Sequence, residues 1–399
     1  MAERKSRLAW VKWLALSVGL SVLLLAALLV LVPAPSAPQA AAVPLEKTLA
    51  YRMLQRERAV RKVPASAEPL LREVLSSAMA ALGPNPAAPS TAEEFKTFAE
   101  KVSTVLAAHN FVQPASAEYW PDTVGEAFVP LPRSDPRVIS SLQGDQPARL
   151  AHVKGGGPIY FVDCDIGAML IISVAQMVGF EVAMVEVPGH NFIRWRSPDG
   201  AIASWDWTYW RSPDETDRAA RLQSALLTRN VFLASQTPAE TEAYFKSVLA
   251  GQIDDQSAKL SLRREAAAVF PNNRVVAYGV ARTFALSPSA SPEERKEALG
   301  YSLLALSMEA DGTPRSRADR MMAVACAYAA NREPALAKAF SRRAQLEAGI
   351  EEDYEGTIAA LDSGGACPTS QDVTSGDRAP TAERLRPRSG SPTEPPAPA

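Results

Sequence analysis

The sequence predicts an α+β protein: a buried helix and an antiparallel sheet, then an all-α module, with one transmembrane helix at the N-terminus. An uncharged apolar run at residues 166–178 follows Cys164 and Asp165 and is ended by Gly179, which suits a helix buried on most sides. Strand-like segments flank the turn sequence Ser197-Pro198-Asp199-Gly200, which predicts a hairpin. Beyond Trp210 the pattern is helical.

The N-terminus predicts a membrane anchor. Residues 1–13 form a basic head with four basic side chains against one acid. Residues 14–32 carry no charge and approach the roughly 20 apolar residues that cross a bilayer. A cleaved signal peptide, with its cleavage site at residues 40–42, is the alternative. The basic head favours an inner-membrane protein with the bulk of the chain on the periplasmic side.

The region between the anchor and the hairpin is mostly helical. Residues 33–44 are rich in Ala and Pro and predict a semi-rigid linker. Three segments with helical periodicity follow, at 45–63, 67–82 and 91–109. Residues 110–154 are rich in proline and are predicted to be irregular. We assign residues 45–212 to one domain.

Cys164, His190 and Asp206 occur in the chemical order of a thiol nucleophile, its base and the group that orients the base. Asp163 is a candidate N-cap, which puts Cys164 at a helix N-terminus, where free N–H groups stabilise a thiolate. The flanking Asp163 and Asp165 oppose this, because negative charge raises a thiol pKa. A hairpin about the predicted turn places His190 opposite Asp206 within one residue, near enough for a hydrogen bond.

These motifs resemble a known family. A Cys at the head of an apolar helix, the sequence Gly179-Phe180-Glu181-Val182, a strand led by His and an Asp within Trp-Asp-Trp resemble the transglutaminase-like superfamily of papain-like folds. The resemblance covers residues 150–210. It implies a papain-like core with Cys164 as nucleophile, His190 as general base and Asp206 as orienter.

The resemblance also implies acyl-transfer chemistry on an amide of a protein or peptide, through a thioester. For the oxyanion, the backbone N–H of Cys164 is one candidate donor and Tyr160 is another. Three tryptophans are candidates for a substrate groove, with packing behind the hairpin as the alternative; these are Trp195, Trp205 and Trp207. For Cys164 the alternative is a packed core cysteine.

Composition excludes several other functions. The chain has 42 basic and 44 acidic residues, which gives no electrostatic basis for a nucleic-acid partner. It has only three histidines and neither an HExxH nor a CxxC motif, so we predict no metal and no cofactor.

Residues 213–362 are predicted to form a helical module, from segments at 215–234, 238–251, 254–269, 275–285, 292–309, 315–330 and 333–348. Residues 325–340 resemble a tetratricopeptide unit, which implies a protein partner; a plain helical bundle is the alternative. Residues 363–399 are poor in apolar side chains and predict a disordered tail. Cys326 and Cys367 either pair in an oxidising compartment or remain two free thiols.

The leading hypothesis is a membrane-anchored cysteine hydrolase or acyltransferase. The alternative is a non-catalytic membrane scaffold, in which a degenerate transglutaminase-like domain and the helical module bind a partner. A buried, unreactive Cys164 and a concave helical face would favour the scaffold.

Overall fold

The computed structural model of the chain describes residues 41–187, 190–213, 233–287, 289–309, 314–349, 355–363 and 367. Over these residues the protein is mixed α/β and mostly helical, with 14 α-helices and two small sheets. The predicted transmembrane helix at 14–32 lies outside the described residues, as do the basic head and most of the tail. Among the described helices, none has the length and hydropathy that a membrane span needs.

The elements, in chain order, are α1 (Leu49–Val60), α2 (Ala67–Leu82), α3 (Ala92–Ala108), β1 (Phe111–Val112), α4 (Val124–Ala127), α5 (Pro136–Gly144), α6 (Pro147–Leu150), β2 (Tyr160–Phe161), α7 (Cys164–Val178), β3 (Ala183–Val187), β4 (His190–Arg196), β5 (Ile202–Trp205), α8 (Pro238–Gly251), α9 (Gln256–Val269), α10 (Arg274–Leu286), α11 (Pro292–Ser307), α12 (Pro314–Ala330), α13 (Pro334–Ala348) and α14 (Glu355–Asp362).

The central helix is α7, and its local sequence explains both of its ends. The Asp163 side chain accepts the backbone N–H of Ile166 at 2.9 Å, which caps the helix at Cys164. Gly179 ends the helix with a φ of 95°, a conformation that glycine adopts without steric cost. Every residue from Ile166 to Ala175 is buried. The predicted buried helix is therefore confirmed.

The predicted hairpin is also present, but its register differs from the prediction by one residue. β4 is the central strand of the antiparallel order β3-β4-β5, and the β4–β5 ladder ends where Ile193 faces Trp205. The turn sets this register, because the Ser197 N–H donates to the Ala201 carbonyl at 2.8 Å, which leaves three residues in the loop. Asp206 consequently lies beyond the last ladder pair.

The segment 110–154 is more ordered than predicted. It contains β1, which pairs in parallel with β2, and the short helices α4, α5 and α6. Two of these helices begin at side-chain caps, where Thr123 accepts the N–H of Glu126 and Asp135 that of Arg137. The prediction of an irregular segment was wrong because such short helices have too few residues for a periodic pattern.

The C-terminal region is a helical module, as predicted. Helices α8 and α9, α10 and α11, and α12 and α13 pack as consecutive pairs. Tyr244 and Phe245 of α8 lie in the same hydrophobic core as α7, so the boundary assigned at residue 213 does not separate two cores. Cys326 and Cys367 form a disulfide with a Cα–Cα distance of 5.4 Å. Most of the predicted helix at 215–234 lies outside the described residues.

The start of α1 is tied to the C-terminal half of α7. The Val43 N–H donates to the Gln176 carbonyl at 3.0 Å, and the Leu49 N–H donates to its side-chain oxygen at 2.8 Å. The Ala50 N–H donates to Ser173 Oγ at 2.9 Å. These bonds satisfy donors at the α1 N-terminus that have no partner within that helix. They lie at the end of α7 opposite Cys164.

Candidate functional site

The structure brings His190 and Asp206 together. His190 Nε2 lies 2.7 Å from Asp206 Oδ2, and the Asp206 side chain is fully buried. The other oxygen, Asp206 Oδ1, accepts the backbone N–H groups of Thr208 at 3.0 Å and Tyr209 at 3.3 Å. Both carboxylate oxygens are therefore engaged, so the plane of the carboxylate is fixed against the imidazole.

A buried arginine holds the loop that carries Asp206. Arg149 of α6 donates hydrogen bonds to the backbone carbonyl of Trp207 and, at 3.0 Å, to that of Thr208. It forms an ion pair with Asp145, and both side chains are almost completely buried. Burial lowers the pKa of Arg149 and raises that of Asp145, while the ion pair opposes both shifts. The sequence pattern did not predict a role for this residue.

Cys164 lies beside the strand that begins with His190. Its thiol donates to Asp165 Oδ1, with the sulfur 3.2 Å from that oxygen. The backbone N–H of Asn191, the residue after His190 in β4, donates to the sulfur. The nucleophile candidate therefore contacts the strand of the base candidate, while its proton points to Asp165.

The electrostatic surroundings favour the neutral thiol. Burial raises the pKa of Cys164 well above its ordinary value, and the negative charges of Asp165 and Asp163 add to this rise. The Asn191 N–H acts in the opposite direction. Burial also raises the pKa of Asp163 well above its ordinary value. Burial and the two carboxylates thus outweigh the Asn191 N–H in their effect on the Cys164 pKa.

Asp165 belongs to a hydrogen-bond network that also includes α8. Its Oδ2 accepts the Tyr244 hydroxyl at 2.6 Å, and its Oδ1 accepts Asn191 Nδ2 at 2.5 Å. Asn191 Nδ2 lies 3.2 Å from the Tyr244 oxygen. Neither Asn191 nor Tyr244 was predicted from the sequence. The position of Asn191 directly after the predicted base was the one local signal for it.

The three tryptophans predicted for a substrate groove lie in the hydrophobic core. Trp195, Trp205 and Trp207 are each at most 6% exposed. The Trp195 ring stacks on Phe95 with centroids 5.6 Å apart, and Trp205 Nε1 donates to Ser103 Oγ at 3.0 Å. These contacts favour the packing alternative and assign the tryptophans to the scaffold of the site.

Tyr160, the predicted oxyanion donor, lies in β2. Its ring centroid is 5.2 Å from that of Phe111, and burial raises the pKa of its hydroxyl. The contacts of its ring are thus with the β1 side of the core, and its role at an oxyanion stays a prediction.

One group of described residues has the side chains to hold a metal ion. The ligand atoms of Asp163, Cys164 and Asp165 lie within 4.8 Å of one another. Asp163 Oδ1 already accepts the Ile166 N–H, and both oxygens of Asp165 accept hydrogen bonds. The arrangement therefore serves the helix cap and the hydrogen-bond network.

No family model, no curated protein and no solved structure matches the chain. The case for a class of protein consequently rests on the geometry around Cys164, His190 and Asp206 and on the resemblance of the motifs that contain them.

Proposed function

We propose that the protein is a thiol-dependent hydrolase or acyltransferase of the papain-like, transglutaminase-like type, which acts on an amide of a protein or peptide. The observation that carries the proposal is the 2.7 Å contact between His190 Nε2 and Asp206 Oδ2. His190 begins strand β4, and the next residue of that strand, Asn191, donates its backbone N–H to the Cys164 sulfur. A thiol needs such an oriented imidazole to become a nucleophile.

In the proposed mechanism Asp206 occupies Nε2, so Nδ1 of His190 takes the proton from Cys164. The thiolate attacks the carbonyl carbon of the amide, the C–N bond breaks, and the leaving amine takes the proton from His190. A thioester remains on Cys164. His190 then takes a proton from water or a second amine, which attacks the thioester carbonyl. The C–S bond breaks, and His190 returns the proton to the sulfur. Asp206 stabilises the imidazolium that forms in each half of the cycle.

Tyr209 marks the side from which a substrate reaches this site. Its ring centroid is 5.4 Å from that of His190, and the residue is 44% exposed, whereas Cys164 is 7% exposed. The imidazole therefore contacts both the solvent-facing tyrosine and the buried carboxylate. A peptide that approaches over Tyr209 meets His190 before it meets the thiol.

A general acyl donor tests the proposal without knowledge of the natural substrate. The disulfide leaves Cys164 as the single free thiol among the three cysteines, so an acetyl adduct can be assigned by peptide mapping. We expect p-nitrophenyl acetate to acetylate Cys164 of the full chain and release p-nitrophenolate. His190→Ala is expected to slow acetylation about 100-fold.

His152→Ala is the matched control for this experiment. His152 is exposed and its ring lies beside Trp210, with centroids 6.1 Å apart, so its loss is expected to leave the acetylation rate unchanged. Equal acetylation rates in wild type and His190→Ala would reject the proposed acyl transfer.

The non-catalytic scaffold is the second candidate, and one observation favours it. Cys164 is buried and the pKa of its thiol is raised. On this alternative the helical module, including the tetratricopeptide-like pair α12 and α13, holds a protein partner. A wild-type thiol that resists both acetylation and alkylation up to pH 9 would support the scaffold.

We also propose that residues 14–32 anchor the chain in the inner membrane, with the catalytic region in the periplasm. The basic head and the uncharged run support this orientation. The disulfide supports it too, because disulfides form in oxidising compartments. Protease added to cells with a permeabilised outer membrane should degrade the chain; protection would contradict the orientation.

A further inference from the structure

Tyr244 extends from the helical module to the residue beside the nucleophile. It lies on α8, 79 positions along the chain from Asp165, and donates its hydroxyl to Asp165 Oδ2 at 2.6 Å. Its ring is buried and meets Phe245 edge-on, with centroids 5.2 Å apart. Burial, followed by the charge of Asp165, raises the pKa of Tyr244 well above its ordinary value, so the hydroxyl remains a donor.

The Asp165 carboxylate receives hydrogen bonds from three directions. Tyr244 donates to Oδ2, and Asn191 Nδ2 donates to Oδ1 at 2.5 Å. The Cys164 thiol is the third donor, 3.2 Å from the same Oδ1. Two fixed donors on different oxygens leave the carboxylate little freedom to rotate, so the direction of Oδ1 toward the sulfur is set by Tyr244 and Asn191 together.

We propose that Tyr244 is a positioning residue for the nucleophile, which acts through Asp165 to direct the Cys164 proton to Oδ1 and not to His190. The resting site is then held by the helical module, and the thiol must leave Asp165 before His190 takes its proton. The meaning of this role rests on the proposed function. The hydrogen bond itself can be tested without a substrate.

The pH dependence of Cys164 alkylation in the full chain measures the effect. Asp165→Asn removes the negative charge beside the sulfur, and we expect the iodoacetamide profile to move about 1 pH unit or more toward lower pH. Tyr244→Phe keeps the ring and removes one donor. We expect its profile to move toward lower pH, because Oδ1 gains freedom to rotate away from the sulfur. The shift should be smaller than that of Asp165→Asn, because Asn191 still holds Oδ1.

Two comparisons separate positioning from general packing or charge. Asp163→Asn keeps a helix cap and removes a charge that raises the Cys164 pKa less than the Asp165 charge does, so its shift should be smaller than that of Asp165→Asn. Tyr301→Phe removes a hydroxyl from a half-buried tyrosine of α11 that packs on Phe284, and the profile should not change.

The double variant Asp165→Asn/Tyr244→Phe decides whether Tyr244 acts through Asp165. We expect its profile to coincide with that of Asp165→Asn. A Tyr244→Phe profile equal to wild type, or a Tyr244 effect that persists without the Asp165 charge, would overturn the inference. Asn191→Leu, which removes the other donor, gives a second route and should shift the profile toward lower pH.

The alkylation and acetylation experiments fail independently. Loss of the His190 effect on acetylation with an intact Tyr244 effect on alkylation rejects the acyl transfer and keeps the positioning contact. The reverse result keeps the acyl transfer and rejects Tyr244.

Discussion

The Arg149 guanidinium lies 4.4 Å from the centre of the Trp207 ring and donates to the backbone carbonyl of the same residue. Arg149 therefore restrains both the side chain of Trp207, through a cation–π contact, and its backbone, through a hydrogen bond. Because Asp206 precedes Trp207, the same contacts fix the carboxylate that meets His190.

Arg149→Met should destabilise the fold, because it leaves Asp145 as a buried charge without its partner. We expect a loss of about 3–5 kcal/mol in the free energy of unfolding, measured with urea. The control is Arg264→Met, which breaks the exposed pair with Glu294 and should cost no more than about 1 kcal/mol. Similar losses in the two variants would show that the buried pair contributes no more to the free energy of unfolding than the exposed pair does.

Asp206→Asn should slow the acetylation of Cys164 about 100-fold, because a neutral amide no longer stabilises the imidazolium. The rate constant with p-nitrophenyl acetate measures this. Asp199→Asn serves as the control, since Asp199 lies in the exposed turn at the other end of β4 and bonds only to turn residues. An unaltered acetylation rate in Asp206→Asn would show that Asp206 does not take part in the reaction.

Gly167→Ala should perturb both stability and site. A Cβ at this position would lie 2.5 Å from the Trp207 ring, so the indole must move, and Asp206 with it. We expect a cost of about 1–3 kcal/mol on unfolding and slower acetylation. Gly144→Ala, where the new Cβ meets nothing within 4 Å, should be neutral in both assays. Equal behaviour of the two variants would contradict the close contact.

The double variant Cys326→Ser/Cys367→Ser should lower the stability of the helical module by about 3–4 kcal/mol, since the bridge closes a loop with a sequence separation of 41. Thermal unfolding measures the loss. The Cys164 alkylation profile should stay unchanged, because the bridge joins α12 to the tail. A profile that moves with the bridge would mean that the disulfide and the thiol are coupled.

Local signals were sufficient to predict α7 and the hairpin. The cap at Asp163, the apolar run and Gly179 are all within a few residues of the ends that they determine. The His190–Asp206 contact was predicted although the register was wrong by one residue. The side chains of a histidine and of an aspartate just beyond the ladder can reach each other in either register. The predicted contact was therefore found although the predicted register was wrong.

The supporting residues were not predictable in the same way. Tyr244 and Arg149 reach the site from helices distant in the sequence, and nothing in the spacing of either residue marks it. Burial of Cys164 also depends on neighbours from several elements, so its raised pKa follows from the three-dimensional packing. The sequence indicated two opposing influences on the thiol pKa, the helix N-terminus and the flanking aspartates, but did not show which is larger.

The hydrogen bonds between the start of α1 and Gln176 have a mechanical consequence. A pull on the chain at Val43 acts on the C-terminal end of α7, a helix of 15 residues and thus about 22 Å in length. The far end of that rod is Cys164. Tension applied to the chain at Val43 and the chemistry of the thiol therefore share one stiff element, and we expect applied force to affect this site.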